Sequence, residues 1–96
     1  MKIGEIDKVM DGVSVEGTIT AKGRTRSFIS RKTGKRVYVA NATLSDDTGD
    51  ITLVLWNRQI LTFDVGDKVR IENGYVTEFN GNLQLNVGKY GTITKI

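Results

Sequence analysis

Apolar and polar residues alternate along most of this chain. The sharpest run is Asp50–Ile51–Thr52–Leu53–Val54–Leu55–Trp56, where Ile51, Leu53 and Leu55 share one face of a period-two pattern. Thr52, Val54 and Trp56 share the other. The first set reads as core, so the single tryptophan lies out of phase with the buried residues. It forgoes the roughly 2–3 kcal/mol that full burial of a large side chain contributes to folding. A ligand with flat rings would account for that placement.

The same pattern predicts four further strands. Val13 to about Arg24 alternates with Val13, Val15, Gly17, Ile19 and Ala21 inward, and with Ser14, Glu16, Thr18, Thr20, Lys22 and Arg24 outward. A missing side chain at Gly17 lets a barrel strand bend sharply. The second strand spans about Arg36–Leu44, where Val37 and Val39 are out of phase with Ala42 and Leu44. A bulge near Ala40–Asn41 would reconcile them and turn Tyr38 toward the side of Trp56. In the fourth strand Val69 and Ile71 point inward, and a bulge at Asn73–Gly74 shifts the phase. Val76 is then inward, with Tyr75, Thr77 and Phe79 outward; keeping the phase would instead bury Tyr75 and Phe79. Asn80–Gly81 is a strong hairpin signal. It leads into a fifth strand with Leu83, Leu85 and Val87 inward and Asn82, Gln84 and Asn86 outward.

The connections are equally informative. Ile3, Ile6 and Val9/Met10 predict a short helical or irregular cap over one end of the core. Thr25–Arg36 reads as a long polar loop with a turn at Thr33–Gly34–Lys35. Arg58–Phe63 reads as one or two helical turns whose Ile60, Leu61 and Phe63 plug the open end. Gly88–Ile96 would extend the fifth strand or pair with the first. These elements describe an all-β protein: a five-stranded OB-fold Greek-key barrel with a short helical connection between strands three and four. We expect one OB-fold domain over residues 1–96, with a cap at 1–12, the barrel at 13–89 and an extension at 90–96. Such barrels bind oligonucleotides across strands two and three, between the first-to-second and fourth-to-fifth loops.

Composition narrows the chemistry. The chain has no cysteine and no histidine, which removes disulfides, zinc fingers, thiol catalysis and histidine-based triads. The absence of proline and the 11 glycines suit a strongly bent β-protein with tight turns. Asp46, Asp47 and Asp50 do not match an EF-hand loop and read as a hairpin connection. We expect neither a cofactor nor catalysis. With no membrane-length apolar run and no signal-peptide pattern, the expected location is cytoplasmic.

Net charge is only +3, but half of the 14 basic residues are Lys22, Arg24, Arg26, Arg31, Lys32, Lys35 and Arg36, and no acid lies between Gly17 and Ser45. Without them the chain would carry 7 basic and 11 acidic residues, a balance of −4. One basic patch on a slightly acidic domain points to an anionic partner bound at one place, or to a loop kept soluble by charge. Phe28–Ile29 sits among these cations, either anchoring the loop to the barrel or touching bases. The outward aromatics, the cations and the expected binding face converge. Single-stranded nucleic acid fits them, since its bases offer stacking faces and its phosphates attract cations.

The runs Asp46–Trp56 and Gly66–Gly88 resemble archaeal single-stranded-DNA-binding proteins and the DNA-binding OB domains of archaeal replication protein A. The likeness extends more weakly to the simple eukaryotic single-stranded-DNA-binding proteins. It covers about Val13 to Val87. It implies base stacking on Trp56, Tyr75 and Phe79, and a non-enzymatic role in DNA replication, recombination and repair. Some relatives carry a further aromatic where this chain has Asn86. Backbone or loop contacts are expected from Arg24, Arg26, Phe28, Arg31, Lys32, Lys35, Arg36 and Tyr38. Besides single-stranded DNA, the resemblance suggests replication or repair proteins, or further OB subunits, as partners; no membrane is expected. Relatives often carry a glycine-rich or acidic tail, or tandem OB domains. The 96 residues have neither, so they read as a bare module or as one domain of a longer protein. An RNA- or tRNA-binding OB domain, or a protein-interaction OB domain, would use the same face.

Overall fold

The computed structural model describes all residues from Met1 to Ile96. After a 3-10 turn at Ile3–Glu5, the strands are β1 (Met10–Lys22), β2 (Arg26–Ile29), β3 (Arg36–Ser45), β4 (Asp50–Trp56), β5 (Lys68–Phe79), β6 (Asn82–Asn86) and β7 (Thr92–Lys95). A short helix, α1 (Arg58–Thr62), joins β4 to β5. Pairing runs β1-β3-β4-β6-β5, and β5 pairs back to β1, which closes the sheet into the five-stranded barrel of an OB fold. β4 and β6 run parallel, while the other barrel pairs are antiparallel. Every inward residue expected on β4 is buried: Ile51, Leu53 and Leu55 meet Ile19, Leu44, Ile71 and Leu85 in one core.

The basic segment expected to be a loop is largely a hairpin. β2 pairs with β3 from Arg26↔Val39 to Ile29↔Arg36, around a turn in which Gly34 takes φ 70°. Local alternation did not show β2, because all four of its residues are exposed. The expected bulge at Ala40–Asn41 is absent: β3 and β4 stay in register from Val39↔Trp56 to Ser45↔Asp50. Val39 is buried although it lies outside the core phase, and this is what blurred the pattern. The bulge lies on β1, where Ile19↔Leu44 gives way to Ala21↔Thr43. It leaves Ala21 exposed and carries Lys22 into the core phase opposite Ala42, the reverse of the expected facing.

Lys22 closes that end of the barrel. Its ammonium donates to the Ile60 carbonyl and pairs with Asp64 at 2.9 Å, tying α1 to β1. Gly17 is required where β1 crosses β3, since a Cβ there would lie 2.7 Å from the Ser45 carbonyl oxygen. At the far end the Asp46 carboxylate accepts the N–H groups of Thr48 and Gly49, the Thr48 hydroxyl and the N–H of Ile3. Asp46 therefore organises the β3–β4 turn and pins the N-terminal cap, whose Ile3 is buried in the core. Partial burial works to raise its pKa, but these hydrogen bonds outweigh burial and hold it at about 2.

The phase shift expected in β5 is present. Asn73 takes φ 56°, and between Val15↔Ile71 and Val13↔Gly74 the ladder holds an extra residue on β5. Val76 is consequently buried, while Tyr75, Thr77 and Phe79 face away from the core. Asn80 and Gly81 both have positive φ, 51° and 80°, the geometry of a type I′ hairpin turn. The C-terminal segment neither extends the fifth barrel strand nor pairs with β1; β7 pairs with β5, from Val69↔Lys95 to Glu72↔Thr92. No helix is long and apolar enough to cross a membrane.

Candidate nucleic-acid interface

Residues paired across adjacent strands share a face, so the ladders fix which side chains meet outside the barrel. Val39↔Trp56 and Asn41↔Val54 continue into Val54↔Asn86 and Thr52↔Gln84, then into Asn86↔Tyr75, Gln84↔Thr77 and Asn82↔Phe79. β2 adds Arg26 beside Val39 and Phe28 beside Val37. The result is a groove of 590 Å³ across β3, β4, β6 and β5, walled on one side by the β2–β3 hairpin. Its lining includes Trp56, Tyr75, Phe79, Phe28 and Arg26.

All three residues expected to stack bases open into this groove. Trp56 and Tyr75 are half-buried, and Phe79 is 61% exposed. Phe28 packs edge-on against Trp56, with ring centroids 6.2 Å apart and planes at 81°, an arrangement that complements the ring quadrupoles. The Trp56 backbone N–H donates to the Gln59 side chain, so the start of α1 holds the end of β4 in place.

The cations are distributed unevenly. Arg26 alone of the expected basic residues lines the groove. Arg31, Lys32 and Lys35 cluster at or beside the exposed hairpin turn, and Arg24 lies exposed between β1 and β2. Arg36 occupies the reverse face of the hairpin, where its guanidinium donates to the Ser27 hydroxyl at 3.0 Å. None of these six forms an ion pair, in contrast to Lys22. Tyr38 does not face the side of Trp56. It is in phase with Ala40, on the reverse face, and lines a separate apolar hollow with Asn57, Ile60 and Leu61. With no bulge between them, two consecutive positions must face opposite ways, and Val39 takes the groove side.

The polar floor of the groove was not among the expected site residues. Asn41, Thr77, Gln84 and Asn86 line it. Asn86 is only 5% exposed, and its amide nitrogen donates to the Thr77 hydroxyl and the Gln84 carbonyl. The alternation places Gln84 and Asn86 on the outward face, which was the available signal. Glu78 adds one carboxylate to a lining whose other charged side chain is Arg26.

A closed OB barrel with an aromatic-lined groove beside an unpaired basic hairpin defines an oligonucleotide-binding class of domain. Residues 6–95 match the family described as single-stranded DNA binding protein Ssb-like, OB fold, and the chain belongs to that family. It is 33% identical over 87 residues to the single-stranded DNA binding protein Ssb of Saccharolobus solfataricus; the match covers 91% of this chain and 57% of that relative's length. Among solved structures, the OB domain of a Thermoplasma acidophilum protein is 31% identical with a TM-score of 0.84, covering all of this chain and 85% of that one. A replication factor A related protein from Methanobacterium thermoautotrophicum is 25% identical with a TM-score of 0.80, covering all of this chain and 89% of that one. The family is a nucleic-acid-binding OB fold and not a class of enzymes.

Proposed function

We propose that this domain binds single-stranded DNA in the groove without catalysing a reaction. Bases stack on Trp56, Tyr75 and Phe79, and phosphates are held by Arg26, by Arg24 ahead of the hairpin and by the hairpin cations Arg31, Lys32 and Lys35, with a smaller share from Arg36 on the reverse face. The observation that carries the reading is the joint opening of Trp56, Tyr75 and Phe79 into one groove beside Arg26. Stacking contributes roughly 1–3 kcal/mol per base whatever the base, and unpaired cations add a salt-dependent attraction to the backbone. Duplex DNA hides its base faces and fits the groove poorly. Phe28, already against Trp56, closes the stack from the hairpin side. The biological setting consistent with this chemistry is replication, recombination and repair in a nucleoid, with other replication proteins or further OB subunits as partners.

The test is a titration of Trp56 fluorescence with an oligothymidine of about ten nucleotides, within the reach of one OB fold. Duplex DNA, matching RNA and a salt series serve as controls. We expect strong quenching by the single strand, little by duplex, and weakening as salt rises. Preference for RNA would move the substrate to RNA. Absence of quenching at low salt and micromolar protein would refute the stacking site.

A further inference from the structure

The turn Gly88–Gly91 stands at one end of the groove. β6 ends at Asn86, opposite Val54 in the parallel β4–β6 ladder, and the chain runs on through Val87 into this turn. Gly88 also lies against Tyr75: a Cβ there would sit 2.8 Å from the Tyr75 Cε1. The turn is closed by the Gly91 N–H donating to the Gly88 carbonyl, and it is pinned from outside by the Asn73 amide, which donates to the Tyr90 carbonyl. Gly91 fits close against the Asn73 backbone, where a Cβ would meet the Asn73 carbonyl oxygen at 2.7 Å.

This fixed turn presents two side chains to solvent. Tyr90 is 82% exposed, more than any groove aromatic, and the Lys89 ammonium lies 5.8 Å from the centre of its ring. The ring serves no packing purpose in the core. An exposed aromatic with an adjacent cation, held on a short turn against Tyr75, repeats the chemistry of the groove itself.

We infer that Lys89 and Tyr90 form an additional nucleotide subsite, which extends the single-strand track past the Trp56–Tyr75 end of the groove. Tyr90 stacks the next base and Lys89 holds its phosphate. The inference rests on the single-stranded-DNA reading of the groove. It lengthens the bound strand and leaves the central stacking contacts unchanged.

Length dependence tests it, with Trp56 fluorescence as the readout. Wild type, Tyr90→Ala and Tyr90→Phe are titrated with oligothymidines of about four and about ten nucleotides, which span short and full occupancy of an OB fold. Tyr90→Ala should bind the shorter strand as wild type does and the longer one about five-fold or more weakly, and Tyr90→Phe should restore the longer-strand affinity. Lys89→Gln should lower the slope of log K against log salt by about 0.7 for the longer strand only, as expected for one phosphate on a single strand. Equal affinity of Tyr90→Ala and wild type at both lengths would overturn the subsite. An equal loss at both lengths would also overturn it, assigning the turn to support of Tyr75 instead. If wild type quenches with neither strand, the groove reading fails first, and that result is distinguishable from failure of the subsite alone.

Discussion

Replacing Trp56 by alanine separates stacking from charge. The indole is half-buried on the groove face and touches Phe28 edge-on. Its removal should lose the stacking of one base, about 1–3 kcal/mol, which corresponds to about 5- to 150-fold weaker binding. The fold should lose less, because Trp56 lies outside the core and its backbone bond to Gln59 persists. Loss of the Phe28 contact and of partial burial together costs about 1–2 kcal/mol. The variant lacks intrinsic tryptophan, so binding is followed by anisotropy of a labelled oligothymidine of about ten nucleotides, and stability by urea unfolding with circular dichroism. Trp56→Phe should retain most of the affinity. The salt dependence of log K should keep its slope in both variants, because the ligand's phosphate contacts are untouched. Unchanged affinity in a folded Trp56→Ala protein would refute stacking on this ring. A shallower salt slope would refute it as well, by showing that the substitution had displaced cations.

Four other substitutions probe the remaining parts. Arg26→Gln should reduce the salt slope by about 0.7, while Arg36→Gln, on the reverse face of the hairpin, should reduce it less; equal effects in the same salt series would remove the distinction between the faces. Lys22→Met should destabilise by about 1–2 kcal/mol in urea, since a charged donor tying α1 to β1 is lost, yet leave oligothymidine affinity unchanged in the folded protein. Asp46 is held at about 2, below its ordinary value of 3.8, so its contribution is complete above about pH 4 and disappears as pH falls toward 2. Over that window wild type should lose about 1–2 kcal/mol that Asp46→Asn does not, as read from urea midpoints at pH 5 and pH 2.5; parallel losses in both proteins would assign the acid sensitivity elsewhere.

The sequence alone determined the faces of those strands whose alternation is intact. Ile51, Leu53 and Leu55 had to be buried together, so Trp56 had to face outward, and β6 is equally regular from Leu83 to Asn86. Asn80–Gly81 and Asn73–Gly74 announced a turn and a bulge, because positive φ is costly for most residues and these types tolerate it. With those signals read, the outward set Trp56, Tyr75 and Phe79 was already legible.

What the sequence left open was whatever depends on a partner strand. The bulge on β1 that turns Lys22 inward exists only in relation to β3, and no local period marks it. β2 is exposed on both faces and becomes a strand only by pairing with β3, which then places Phe28 on the side of Trp56 and Tyr38 on the other. The parallel ladder between β4 and β6 joins residues about thirty positions apart, and just beyond it Gly88 packs against Tyr75. Alternation is a local property of one strand, whereas register and facing across a closed barrel are settled by hydrogen bonds between distant segments. The candidate stacking residues were therefore readable in the chain, and the shape of the groove around them was decided by the tertiary fold.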